Sequence, residues 1–425
     1  MLRRIRRAWR SRAARRFFSN RLAAVGLVII LLYAAVGLAV LGADAVKALG
    51  ERTGWFDLTR YKLLDMLTVE RADEVVGPYE MRGMGLKNTP EERLRFVRTY
   101  LDEFDRATAP RVRDKEAAVA RIRYGQRHAA DLPPAELRKI VKEAEKLYGE
   151  VAQSDDLDAD PEMLPKLEEL EALTATLFAP LTGVDRVIQG YMLSLGTDRQ
   201  GRSIMGRAVY SIKVAIQIGL VVAVISVLLG SLIGAAAAFF GGWVDHVVVW
   251  LYSTLSSLPD LVLLGVLVFM FTGSIFDDVT RPYLSLVPIY AAMCLTFWIG
   301  PCRVVRGEVM KIKQLEYVQA ATAIGFGRLT ILLRHALPNT VHLMFINFSL
   351  LFIAAIKNEV VLSFLGLGVK VGPSWGRMIQ ESTQQVINGF FWQIGAATVF
   401  MFVLVLAFNI VSDALQDAFD PKHVG

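Results

Sequence analysis

The chain has 425 residues, of which 54% are apolar and 21% charged, with a mean hydropathy of +0.40 and a formal net charge of +6. That apolar content exceeds what a soluble core needs and excludes a disordered chain, so the position of the uncharged runs decides the class. Cys294 and Cys302 are the only cysteines, which excludes a secreted disulfide framework and a cysteine-rich zinc cluster.

Residues 1–21 contain nine Arg and no acid. Beside an apolar run, such a segment reads as a basic cytoplasmic tail under the positive-inside rule rather than as a nucleic-acid site. A short amphipathic helix on anionic lipid is compatible with that reading. The run 22–41 carries no charge; about 20 helical residues cross a bilayer. Ala43-Asp44-Ala45 imitates a signal-peptide cleavage site, but the apolar core is longer than the 7–15 residues or so of a signal peptide. Residues 22–43 are therefore predicted as a retained first transmembrane helix.

Residues 44–190 hold 29 acids and 23 bases, more than half of the charge in the chain, and are predicted as a water-facing helical insert. Thr89-Pro90-Glu91-Glu92 and Asp160-Pro161-Glu162 are helix-start signals, with a capping side chain before a first-turn proline. Leu137, Ile140, Val141, Ala144 and Leu147 form one amphipathic stripe; Leu164, Leu167, Leu170 and Leu173 form another, with Pro133-Pro134 separating helices. Two readings stay open: a small helical domain packed on itself, or a surface for an extracytoplasmic partner. The run Asp155, Asp156, Asp158 and Asp160 lacks the glycine and glutamate a calcium loop needs at its sixth and twelfth positions, and reads as a solvated linker.

Residues 191–425 contain five more candidate spans. Runs 214–244, 282–302 and 382–412 are free of charge, 336–356 contains no Asp, Glu, Lys or Arg, and His246–Phe276 is interrupted only by Pro259-Asp260. Six spans place residues 303–335 on the same side as the N-terminus, and there Arg303, Arg306, Lys311, Lys313, Arg328 and Arg334 face only Glu308 and Glu316. Both termini are then cytoplasmic, while 44–190 and 357–390 lie outside. The fold class is all-α and polytopic, with a charged insert between the first two spans.

Within 303–338 the segment Glu316-Tyr-Val-Gln319-Ala320-Ala321-Thr-Ala-Ile-Gly325 is followed, nine residues on, by His335-Ala336-Leu337-Pro338. Small alanines allow close approach to a partner's groove, and glycine at 325 permits the positive φ that ends one helix and starts another. This spacing resembles the Glu-Ala-Ala loop of binding-protein-dependent permeases in ATP-binding-cassette importers. Gln319 stands where that family usually has Glu, with Glu316 offering an acid on the same helical face, and His335 occupies an apolar position.

Residues 195–422 are more narrowly similar to the second permease subunit of dipeptide and oligopeptide importers. The likeness rests on Leu195-Gly196-Thr197-Asp198 with Gly201-Arg202, Gly241-Gly242-Trp243-Val244-Asp245, Leu258-Pro259, and Arg303 with Arg306-Gly307. It continues through Leu362–Gly368 with Pro373–Met378, and ends at Asp417–Pro421. Ser203 stands where the family usually has an acid.

The resemblance implies a subunit of the bacterial inner membrane. Its expected partners are a second permease, two ATPase subunits and an extracytoplasmic solute-binding protein. The ATPase-coupling residues would be Glu316, Gln319, Ala320, Ala321, Gly325, Leu337 and Pro338.

Asp260 and Glu359 are weaker candidates for the translocation path or outer gate. Asp260 is costly in hydrocarbon unless it faces the bundle or water, or lies near an interface; Glu359 is expected to pair with Lys357 at the outer surface. No Gly-x-x-x-x-Gly-Lys-Ser/Thr occurs, so this chain is not expected to hydrolyse ATP, and ATP-Mg would sit on partner subunits. No catalytic residue, metal site or cofactor of its own is predicted. A membrane-anchored scaffolding protein acting through 44–190 is the alternative.

Overall fold

The computed structural model describes residues 20–53, 62–73, 89–108, 132–154, 162–178, 183–274, 286–387 and 391–419. The basic tail before Asn20, the Asp155–Asp160 run and the terminal Asp420-Pro421 lie outside them. The chain divides into two compact units, one of Met1–Leu38, Ser211–Glu381 and Ala397–Gly425, the other of Ala39–Tyr210 and Ser382–Ala396.

The helices, in order, are α1 (Arg21–Thr53), α2 (Pro90–Thr108), α3 (Pro134–Val151), α4 (Met163–Thr176), α5 (Val184–Met192), α6 (Ile204–Phe240), α7 (Gly242–Leu255) and α8 (Asp260–Ser274). They continue with α9 (Val287–Phe297), α10 (Ile299–Ile312), α11 (Glu316–Ala323), α12 (Arg328–Ile331), α13 (Val341–Phe364), α14 (Trp375–Ile387) and α15 (Trp392–Phe419). Among the described residues, five helical stretches are long and apolar enough to cross a membrane: α1, α6, α9 with α10, α13 and α15. The pair α7 and α8 makes a sixth if counted as one span, but it bends by 92°. The chain is thus polytopic and all-helical, with the third run broken at Ser256–Pro259. Pro259 has no N–H to donate and pushes Leu258 out of helical geometry, while its own carbonyl accepts from Val262 and Leu263 at 3.0 Å as α8 begins.

Within the first unit the helices pack through small residues. Ala23 shares a buried cluster with Val411 and Ala414, and the Tyr33 hydroxyl donates to the Phe400 carbonyl at 3.1 Å, so α1 and α15 run antiparallel. Along α6, a Cβ built at Gly230 would lie 2.3 Å from the Trp298 carbonyl oxygen, and one at Gly234 2.3 Å from that of Cys302. This small-xxx-small ridge lets α6 press backbone to backbone on α10, the usual way apolar helices associate where hydrophobic burial gives no drive. Phe352 of α13 stacks on Phe408 of α15 with centroids 3.9 Å apart.

In the second unit α2, α3 and α4 share a core of Leu94, Val97, Leu101, Phe104, Ala144, Val151, Leu167 and Leu170, closed by Leu177 and Phe178. The described part of the insert therefore packs on itself. Pro133-Pro134 starts α3, with Pro134 at its first position, where the missing N–H costs nothing. Leu164 is 37% exposed because steps of three residues drift by roughly 60° each from the 100° helical period. Arg93 grips Glu171 through two bonds of 2.8 and 2.6 Å, tying α2 to α4; the carboxylate holds the guanidinium charged and raises its pKa.

Candidate functional site: the 303–338 loop

The loop leaves α10 on two long-range anchors. Arg306 donates to both Asp245 carboxylate oxygens at 2.6 and 2.7 Å. Asp245 is presented by a turn at Gly241 (φ 64°) and Gly242 (φ 55°), both in the left-handed region. Lys313 donates to the Phe239 carbonyl at 2.9 Å, placing a cation on the C-terminal end of α6.

Leu315 is extended, and α11 follows with Glu316 in its first turn, where an acid complements the helix dipole. Val318 and Ala321, three apart, turn inward to join Ala235, Phe239, Val305, Val309 and Ile331 in one buried cluster. Glu316, Gln319 and Ala320 are exposed on the other face. The two alanines therefore divide: Ala321 packs on its own chain and only Ala320 is presented, since adjacent helical residues point about 100° apart. The Gln319 amide donates to the Gln314 carbonyl at 3.1 Å.

Gly325 adopts φ 94° and closes α11 with a Schellman pair, its N–H bonding Thr322 O at 3.0 Å and that of Phe326 bonding Ala321 O at 3.1 Å. At the end of α11 Ile324 is 77% exposed and, past the turn, Phe326 is 49% exposed, an apolar ridge beside the acid-bearing face. Residues Leu332–Ala336 then form a π-turn. Pro338 explains it: the ring would strike the Arg334 carbonyl of a regular helix and offers it no N–H, so the backbone widens there. Leu337 and Pro338 lie in a single turn, Leu337–Asn339, ahead of α13, which begins at Val341 rather than at Pro338 itself. The Asn339 amide donates to the Tyr317 hydroxyl at 2.6 Å, and the Tyr317 ring lies 6.4 Å from that of His335. His335 thus fills its apolar position as a ring against a ring, and α11 is latched to the turn that enters α13.

The two path candidates lie elsewhere. Asp260 is the exposed first residue of α8 and lines a cavity of about 670 Å³ with Lys357. Glu359 corrects the surface-pair expectation. It is 2% exposed and accepts a 2.7 Å bond from the Ser363 hydroxyl, whereas Lys357 is exposed on a different face of α13. Residues two apart on a helix do not face one another. Gly368 and Gly376 close over Ser363 and Val360, where added Cβ atoms would lie 1.8 and 2.6 Å from side-chain atoms of Ser363.

Sequence reasoning passed over a buried ionic cluster before α6. Asp198 accepts the backbone N–H of Gln200 and Arg202 at 2.9 Å each, and also binds the guanidinium groups of Arg202 and fully buried Arg207. Ser203 caps α6, its hydroxyl accepting the Gly206 N–H at 2.9 Å. The same hydroxyl donates to the Met192 carbonyl at 2.5 Å, a bond that the family's acid, which can only accept, could not make.

The membrane-length helices, the 303–338 loop and the 195–202 leader fit a membrane permease. The model of the binding-protein-dependent transport system inner membrane component matches residues 226–424, and the chain belongs to that family. It is similar to the dipeptide transport system permease protein DppC of Bacillus subtilis, 34% identical over 228 residues that cover 53% of this chain and 68% of the relative. The oligopeptide permease protein OppC of Haemophilus influenzae is 32% identical over 55% of this chain and 72% of its own. The glutathione permease protein GsiD of Pectobacterium atrosepticum is 30% identical over 54% and 72%. The chain is accordingly a multi-pass inner-membrane subunit of a transport system.

Proposed function

We propose that this chain, with a second permease, forms the path by which peptides or a similar small solute, delivered by an extracytoplasmic binding protein, cross the inner membrane. Two ATP-binding-cassette subunits dock on the loop 303–338, hydrolyse ATP-Mg and drive the exchange between outward- and inward-open states. Both termini are cytoplasmic and 44–190 is extracytoplasmic.

The observation that carries this reading is the latched geometry of α11. One face is anchored in the chain by Val318 and Ala321; the other offers Glu316, Gln319 and Ala320 beside exposed Ile324 and Phe326. A rigid-body push on that face passes through Asn339–Tyr317 and the Pro338 turn into α13. None of the α7 side chains is buried within the chain, and Trp250 is 67% exposed, which suits a lipid- or permease-facing helix.

Gly325→Val tests the coupling. A β-branched residue held at φ 94° is strained by about 1–3 kcal/mol, so the Schellman end and the direction of the ridge are lost. Uptake should fall at least tenfold while membrane insertion, read by protease protection, stays normal. Undiminished uptake would remove the coupling role.

A further inference from the structure

We propose that the cavity between the Ser256–Pro259 break, α9, α10 and α13 is a dipolar subsite on the transport path that reads a zwitterionic, peptide-like solute. In it Lys357 takes the carboxylate and Asp260 the ammonium group. This rests on the peptide reading above and adds where in the membrane chain the solute's ends are recognised.

The cavity, about 670 Å³, is walled by apolar residues of α8, α9, α10 and α13 and contains Asp260, Thr296, Arg303, Lys357 and Asn358 as its polar groups along with Ser256. Its size suits a short peptide. Lys357 stands within the apolar α13, seven residues before its end at Phe364, where an ammonium group is costly unless it faces a water-filled space, and ionisable residues within such helices mark solute pathways. Asp260 lines the same cavity from α8, a helix restarted after a 92° break; discontinuous helices recur where membrane transporters bind their substrates.

Among the described residues, neither Asp260 nor Lys357 makes a side-chain hydrogen bond or ion pair, with each other or elsewhere. Glu359 does not neutralise Lys357, being turned into the Ser363 pocket. The remaining polar groups have assigned tasks. Arg303 is spent on Ser256 at 2.6 Å and on the Tyr252 ring at 4.7 Å, which ties the break to α10. Asn358 donates to Ala354 O at 2.9 Å, leaving its carbonyl oxygen as an acceptor for a peptide N–H. Two opposite charges, separate and unpaired in one apolar cavity, fit a solute that carries one of each.

The test uses the complete transporter in proteoliposomes with its own binding protein, and three probes at subsaturating concentration: trialanine, its C-terminal amide and its N-acetyl derivative. Comparing wild type with variants cancels the selectivity of the binding protein. Lys357→Met should cut the preference for free acid over amide about tenfold, the loss expected of one charge-assisted bond, and Lys357→Arg should restore it. Asp260→Asn should remove the preference for free amine over acetyl derivative and leave the acid-to-amide ratio alone. If the variants reduce all three probes equally, as a contact with the second permease would, or change none, the subsite is overturned while peptide transport stands. If the wild type takes up none of the probes, the peptide reading fails and the subsite with it.

Discussion

Asp198 shows how much one residue can organise. Its carboxylate sits 2% exposed between Arg202 and Arg207, closing the turn through which the chain enters α6. Removing one partner of a buried pair costs about 3–5 kcal/mol where the other charge is left alone; here Asp73, 3.4 Å from Arg207 and 3.7 Å from Arg202, keeps part of the compensation. Asp198→Ala should therefore lower the thermal midpoint of the detergent-solubilised protein by several degrees. Asp198→Ala combined with Arg207→Ala should cost clearly less than the two single losses together. Ser203 makes a milder test. Ser203→Ala should cost about 1 kcal/mol through the lost cap, whereas Ser203→Thr, whose hydroxyl can both accept from Gly206 and donate to Met192, should cost less. Equal effects of the two substitutions would contradict the capping role. Asp198 was legible only as part of a likeness, because Arg207 and the depth of burial depend on folding; Ser203 looked like a departure until its bonds to Gly206 and Met192 explained it.

At the scale of elements, helix contacts in the membrane unit depend on missing side chains. Gly234→Val places methyl groups where the Cys302 backbone already lies, so α6 must separate from α10, at a cost of about 1–3 kcal/mol or more. A cysteine pair across α6 and α10 that cross-links readily in wild type should cross-link poorly in Gly234→Val; unchanged cross-linking would show that this ridge does not set the packing.

The apolar runs were readable because lipid demands long uncharged helices, but their limits were not. The run 336–356 predicted a span that in fact covers Val341–Phe364. Pro338 delays its start, and Lys357 and Glu359 ended the uncharged run without ending the helix, one facing a cavity and the other a hydroxyl. Ser382–Ile387 lack charge yet belong to α14, since Ser, Thr and Gln are uncharged without being apolar. In the 303–338 loop, α11 and Gly325 were legible because a helix end is a local matter. Arg306 with Asp245 and Lys313 with Phe239 were not, being 61 and 74 residues apart in sequence.

For the whole molecule, the coupling role proposed for α11 would give the spans a direction of action. A face built from Glu316, Gln319 and Ala320 and held by an inward core suits a partner that pushes on it from outside the chain. The most direct measurement of that claim is ATP hydrolysis by the purified complex of this chain, its partner permease, the ATPases and the binding protein. Peptide-loaded binding protein should raise the hydrolysis rate severalfold, and Gly325→Val should abolish the rise while basal hydrolysis persists. A rate indifferent to loaded binding protein, or stimulated equally in the variant, would contradict the coupling role.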